Sequence, residues 1–107
     1  MKIEKNLRLL GEFAHLKKGW NGYDADPIDK QVIENAKAII LRLPVQPEVF
    51  PTANNSVQLE YELDDGDYLE FEVFRDHINE FRKKEKTSRD IHEIDDVIKT
   101  VKSLILP

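Results

Sequence analysis

The spacing of hydrophobic residues changes near Val45, and this change constrains the fold more than any other feature of the sequence. Before Val45, hydrophobic residues recur every three or four positions, which is the period of a helix. After it they alternate with polar residues, which is the period of a strand with one buried face. The chain has 107 residues, of which 40% are hydrophobic, enough for one modest core. The sequence therefore predicts a single α+β domain over residues 1–107.

Two helices are predicted before the change of period, and they should form an N-terminal two-helix hairpin. The first has a hydrophobic stripe that starts at Ile3, and Gly19 can supply its left-handed stop. The second is capped by Asp26 or by Asp29, both of which suit a helix start. Pro44 ends it, because proline lacks the backbone donor that a helix interior needs.

A C-terminal amphipathic helix is predicted after residue 86, with Thr87 or Ser88 as its cap. Its hydrophobic stripe is narrow and regular, and two interpretations of that stripe stay open. It covers the sheet of its own chain, which a small sheet requires, or it is the seam of a homodimer. The stripe consists of Ile91, Ile94, Ile98, Val101 and Ile105.

Two alternating segments predict the central hairpin of an antiparallel sheet. They cover residues 57–63 and residues 69–74, with turn-forming residues between them. A short extended segment at residues 48–50 and a strand around Phe81 complete a sheet of three to four strands. Hydrophobic residues would face the core and glutamates would face away from it.

A tight turn at Asp65-Gly66-Asp67 would set the register of this hairpin and bring like charges together. Directly opposed carboxylates destabilise a sheet, so the next strand is expected to supply bases. With Phe81 in the core, the predicted cross-strand partners on the polar face are Glu62 with Glu70, Glu60 with Glu72, Glu72 with Arg82, and Glu70 with Lys84.

The negative charge of the chain comes from one segment. The formal net charge is -5, and residues 56–76 alone contribute eight acids against Arg75. A surface of this sign repels a nucleic-acid backbone, which needs a basic footprint, and attracts basic proteins. The sequence therefore predicts a protein partner with a basic surface and no direct contact with nucleic acid.

The residue types that carry catalysis are sparse. The chain has no cysteine, its serines lack a glycine-bounded elbow, and His15, His77 and His92 are scattered. No phosphate-binding, dinucleotide-binding or zinc-protease motif is present. Magnesium bound by the glutamates is a third-ranked alternative, which bases beside them would oppose. We therefore expect no enzyme activity, no metal and no cofactor.

Membrane and export signals are also missing from the sequence. No apolar run reaches the length that spans a bilayer, and the first residues mix charges with apolar side chains. These observations predict a soluble, cytoplasmic protein without a membrane partner.

The string from Trp20 to Ile28, "WNGYDADPI", is dense in turn formers and is the most distinctive local sequence. Trp20 and Tyr23 are expected to lock the helical hairpin onto the sheet, with partner binding as the alternative. Together with the helix after it, the proline-bounded "LP…P…FPT" and the alternating acidic strand, the string resembles small uncharacterised bacterial and phage proteins with a Trp-Asp/Asn-Gly-Tyr-x-Ala signature. The resemblance covers about residues 10–75 and implies an α+β accessory factor from a mobile-element or defence context, with no catalytic residues.

Two functions are consistent with these features. The favoured one is a non-enzymatic module that presents an acidic hairpin face to a basic, nucleic-acid-handling partner, as an anti-CRISPR-like phage inhibitor of a bacterial defence nuclease would. The alternative is a homodimeric structural or regulatory accessory protein that uses the C-terminal helix as its seam. The predicted partner-binding residues are Glu60, Glu62, Asp64, Asp65, Asp67, Glu70 and Glu72, together with Trp20 and Tyr23.

Overall fold

The α+β class predicted from the change of period is confirmed. A computed structural model describes residues 2–105, which form three helices and a five-stranded antiparallel sheet. Hydrophobic residues of all three helices and of all five strands share one core cluster. Because that core lies on a single side of the sheet, we call this side the inner face and the opposite side the outer face.

The helices are α1 (Lys2–Phe13), α2 (Lys30–Ile40) and α3 (Ile94–Leu104). Helix α2 starts after Asp29, the second of the two caps that the sequence allowed, and ends before Pro44. Helix α1 is tied to the sheet by buried Asn6, which donates to the carbonyl oxygen of Pro47 over 2.9 Å. No helix within residues 2–105 is long and apolar enough to cross a membrane.

The strands are β1 (Glu48–Thr52), β2 (Ser56–Glu62), β3 (Tyr68–Val73), β4 (Ile78–Arg82) and β5 (Thr87–Ile91). They follow one another across the sheet in chain order, so each strand pairs with the next through a short turn. The sheet therefore has five strands where the sequence predicted three to four. The additional strand is β5.

The predicted register of the central hairpin is wrong by two residues. Leu59 lies opposite Phe71, and Glu60 lies opposite Glu70 instead of Glu72. The turn is formed by Asp64–Gly66 and so lies one residue earlier than expected, and the backbone N–H of Leu63 donates to the carbonyl oxygen of Asp67 over 2.8 Å. An even shift preserves the face of every side chain, so the glutamates still point away from the core.

The predicted position of Phe81 is also wrong. Every side chain of β4 lies on the face opposite to the one expected. Ile78 pairs with Val73 and is buried, whereas Phe81 pairs with Glu70 on the outer face. Ile78 and Phe81 are three residues apart, so only one of them can face the core. Arg82 therefore points to the inner face. The expected pairs of Glu72 with Arg82 and of Glu70 with Lys84 do not form.

Thr87 and Ser88 do not cap α3. They extend β5 and pair with Arg82 and Phe81, after a turn in which Lys86 has a φ of 55°. Helix α3 begins only at Ile94. The polar segment from Thr87 to Asp90 is exposed, and its ability to pair with β4 was not visible from hydrophobic spacing.

Helix α3 packs on its own chain, as the first of the two interpretations expected. Val97, Ile98 and Val101 are buried in the shared core. Ile94 and Ile105 are partly buried against the same core, and Ile91 lies in β5. The predicted homodimer seam is therefore already occupied within one chain, and this corrects its assignment as an oligomer surface.

Candidate protein-binding face

The outer face concentrates acidic side chains. Along each strand, every second residue points outward, and the registers align these residues into rows across the sheet. Within the five strands, no outward position holds Lys or Arg. The outward acids are Glu48, Glu60, Glu62, Glu70, Glu72 and Asp90.

Glu60 lies at the centre of this face, directly opposite Glu48 on one side and Glu70 on the other. Directly opposed side chains have Cβ atoms about 5 Å apart, so the three carboxylates form one row. Partial burial, together with the negative charge of Glu60, raises the pKa of Glu70. The free chain therefore holds like charges close together, and a bound cation would reduce the repulsion between them.

Positive charge reaches this row from Lys2 beside Glu48 and from Lys83, whose charge opposes the rise in the pKa of Glu70. Lys2 Nζ lies 3.0 Å from Glu48 Oε1, and this contact lowers the pKa of Glu48. Glu72 accepts a hydrogen bond from Ser56 Oγ over 2.6 Å, which orders the carboxylate without removing its charge. Among residues 2–105, no Lys or Arg forms an ion pair with Glu60, Glu62, Glu70 or Glu72.

Aromatic rings share the face with the carboxylates. Phe50 points outward from β1 and is 44% exposed. Phe81 and Tyr68 are half-buried and lie directly opposite Glu70 and Glu62. The face is therefore a mixed surface of acids and rings.

Asp67 does not belong to this face, although the sequence grouped it with the partner-binding acids. Its side chain is buried, and its Oδ2 accepts from Arg82 Nη2 over 2.8 Å. Its Oδ1 accepts from the backbone N–H groups of Lys84 and Tyr68 over 2.8 and 2.9 Å. The hydrogen bond from Arg82 lowers the pKa of Asp67. Through these hydrogen bonds, Asp67 holds the start of β3 against the end of β4.

Asp64 and Asp65 are exposed at the end of the β2–β3 hairpin, in a short helical turn over Asp64–Gly66. They border a cleft of about 430 Å³ that Arg82 and Lys84 also line. Their charge is therefore presented beside bases, as is that of Glu62, which lines the same cleft. The seven acids that the sequence grouped together are divided among the outer face, the hairpin end and the interior.

The loop from Trp20 to Asp26 is built on its own hydrogen bonds. Trp20 Nε1 donates to the carbonyl oxygen of Asp26 over 2.9 Å, and Asn21 Oδ1 accepts from the backbone N–H of Tyr23 over 2.9 Å. The backbone N–H of Asp26 joins the loop to Ala53 in the β1–β2 turn. Tyr23 is 83% exposed, so the prediction that both rings lock the hairpin onto the sheet is wrong for Tyr23.

No metal site is formed by these acids. Across residues 2–105, no group of three or more His, Asp or Glu side chains is placed to hold a metal ion. The central glutamates are spread over a row and do not converge on one point.

Five members of the face were missed by sequence reasoning, namely Glu48, Phe50, Tyr68, Phe81 and Asp90. Glu48 and Phe50 alternate with buried Val49, a signal that was present but short. Phe81 was assigned to the core because a hydrophobic residue was expected there.

Comparison with known proteins adds no relative. No family model, no curated protein and no solved structure matches this chain. The resemblance at the Trp20 loop therefore stays a prediction.

Proposed function

We propose that this chain is a non-enzymatic binding module whose outer sheet face takes up the basic surface of a partner protein. The observation that carries the proposal is the row of Glu48, Glu60 and Glu70 on a face without an outward Lys or Arg in its strands. Opposed carboxylates cost stability in the free chain. Approaching cations reduce the repulsion between the carboxylates. The binding free energy therefore includes both the attraction to the cations and the loss of that repulsion.

The spacing of the glutamates favours a partner that handles nucleic acids. Glu60 and Glu62 lie two residues apart on β2, as do Glu70 and Glu72 on β3. Two residues of a strand span about 6.6 Å, a repeat at which carboxylates can imitate a phosphate backbone. The specific form of the proposal is a phage or mobile-element inhibitor that occupies the nucleic-acid surface of a bacterial defence nuclease. The resemblance at the Trp20 loop supports that context.

The test measures binding of a labelled oligolysine peptide by fluorescence anisotropy at about 50 and about 200 mM NaCl. We expect binding at the lower salt concentration and marked weakening at the higher one. The double variant Glu60→Gln/Glu70→Gln should raise the Kd about five- to tenfold. Its matched control is Glu12→Gln/Glu34→Gln, which changes net charge equally through exposed helical residues.

Equal losses in the two double variants would overturn the proposal, because binding would then follow net charge and not the face. An additional arm uses a labelled DNA oligonucleotide in place of the peptide. The chain should not bind it at either salt concentration, since the face repels phosphates. Binding of DNA with an affinity like that of the peptide would also contradict the proposal.

A further inference from the structure

The aromatic rings of the outer face stand beside its carboxylates in a repeated arrangement. Phe81 is the direct cross-strand neighbour of Glu70, and Tyr68 is that of Glu62. Phe50 lies two residues from Glu48 on the same side of β1. Net charge alone would not require rings at these places. A single exposed phenylalanine would be ordinary, but three rings beside carboxylates on one face form a group.

One ring of this face already carries a cation. Lys83 Nζ lies 5.0 Å from the centre of the Tyr68 ring, within the range of a cation–π contact. The backbone N–H of Lys83 donates to the carbonyl oxygen of Tyr68 over 3.1 Å, so the ladder itself aligns the two residues. On its other side, Tyr68 pairs with Glu62. The molecule thus contains an internal example of a cation seated on a ring whose neighbour is a carboxylate.

Arginine fits such a site better than lysine does. A planar guanidinium stacks on a ring face while its N–H groups reach an adjacent carboxylate in a forked geometry. An ammonium group is a compact, strongly hydrated charge that cannot stack in this way. Within the described residues, no cation lies on the ring of Phe81 beside Glu70 or on that of Phe50 beside Glu48, although Glu48 already pairs with Lys2.

We infer that the outer face selects arginine side chains of its partner, each seated on a ring and paired with the neighbouring glutamate. This inference rests on the proposed function and specifies the chemistry of the partner. Phe81 with Glu70 is the open site, whereas at Phe50 the arginine stacks on the ring and shares the carboxylate of Glu48 with Lys2. A partner segment rich in arginine therefore binds more tightly than a lysine segment of equal charge.

The experiment compares oligoarginine and oligolysine peptides of equal length and charge, with the anisotropy assay described above. The ratio of their two Kd values is measured for the wild-type chain and for two double variants. Phe50→Leu/Phe81→Leu removes both rings and keeps apolar side chains, whereas Phe50→Tyr/Phe81→Tyr keeps the rings. We expect the arginine preference to fall about threefold or more in the leucine variant and to persist in the tyrosine variant. Circular dichroism confirms the fold of each variant, and Phe50→Leu alone serves if the double variant unfolds, since Phe50 is the more exposed of the two.

An arginine preference that is absent, or that is unchanged in the leucine variant, would overturn this inference and leave the proposed function standing. Failure of both peptides to bind the wild-type chain would instead remove the proposed function itself. Equal losses in the leucine and tyrosine variants would assign the effect to packing and would also overturn the inference.

Discussion

The two faces of the sheet both carry charges, but the inner face pairs its acids with arginines of the strands, and the outer face does not. Under the helices, Asp67 is matched by Arg82, and Arg89 Nε lies 2.9 Å from a carboxylate oxygen of Glu80. On the outer face, Glu60 and Glu70 oppose each other, and within residues 2–105 neither forms an ion pair with a base. A carboxylate that loses water needs a partner, whereas an open face leaves water in place. The folding requirement thus explains the inner pairs and leaves the outer row for another role.

The sharpest test of the inner face is a charge placed in the hydrophobic core beneath α3. Ile98 is buried, so Ile98→Lys should lower the free energy of unfolding by about 4 kcal/mol. Urea denaturation followed by circular dichroism measures the loss. Leu104→Lys is the control on the same helix, because Leu104 is 40% exposed and should tolerate the change. A stable Ile98→Lys chain that only changed its sedimentation would contradict the packing described here and favour a seam between copies.

A smaller effect is expected from the paired charges of the inner face. Asp67→Asn removes the acceptor charge beside Arg82, so the thermal midpoint at neutral pH should fall by about 5 °C or more. Because the pKa of Asp67 is lowered in the folded state, its stabilising effect is present at neutral pH and lost as pH falls through that pKa. The difference from wild type should therefore shrink below about pH 4.

Asp65→Asn is the matched control for Asp67→Asn. Asp65 lies in the same hairpin, is exposed and has a φ of 58°, a conformation that asparagine tolerates. Its thermal midpoint should stay close to that of the wild-type chain at every pH. If the two variants behave alike, the hydrogen bonds of Asp67 do not hold β3 and β4 together.

The sequence predicted which side of the central strands is buried, because alternation alone assigns side chains to faces. It could not predict the register, since a shift of two residues buries the same set and places Glu60 opposite Glu70 as readily as opposite Glu72. It also could not choose between Ile78 and Phe81 for the core, because each is hydrophobic. That choice depends on the length of the turn between β3 and β4.

The sequence predicted the glutamates of the candidate face but not their charged neighbours. The central glutamates were found because they alternate with buried residues, and the structure keeps them together on one side. The expected neutralisation by Arg82 and Lys84 failed because the side chains of β4 lie on the opposite faces from those predicted. The outer face is therefore more acidic than the sequence suggested. Asp67 was misplaced because its backbone and guanidinium donors come from β4, which local sequence does not reveal.

The smallest expected effect concerns the opposed pair of the outer face, and its sign is the reverse of that for Asp67. Glu70→Gln removes a like charge opposite Glu60, so it should raise the free energy of unfolding at pH 7 by about 0.2–1 kcal/mol. Partial burial and the charge of Glu60 raise the pKa of Glu70 in the folded state. The destabilising effect of its charge is therefore present above that pKa and disappears as pH falls through it.

The gain from Glu70→Gln should accordingly vanish below about pH 4, where wild-type Glu70 is protonated. Urea denaturation at several pH values measures it, with Glu12→Gln as an exposed control that should show no such gain. The same variant should bind oligolysine more weakly, so stability and binding would move in opposite directions. A Glu70→Gln chain that is less stable at pH 7 would show that the row supports the fold, and the difference between the two faces would then disappear.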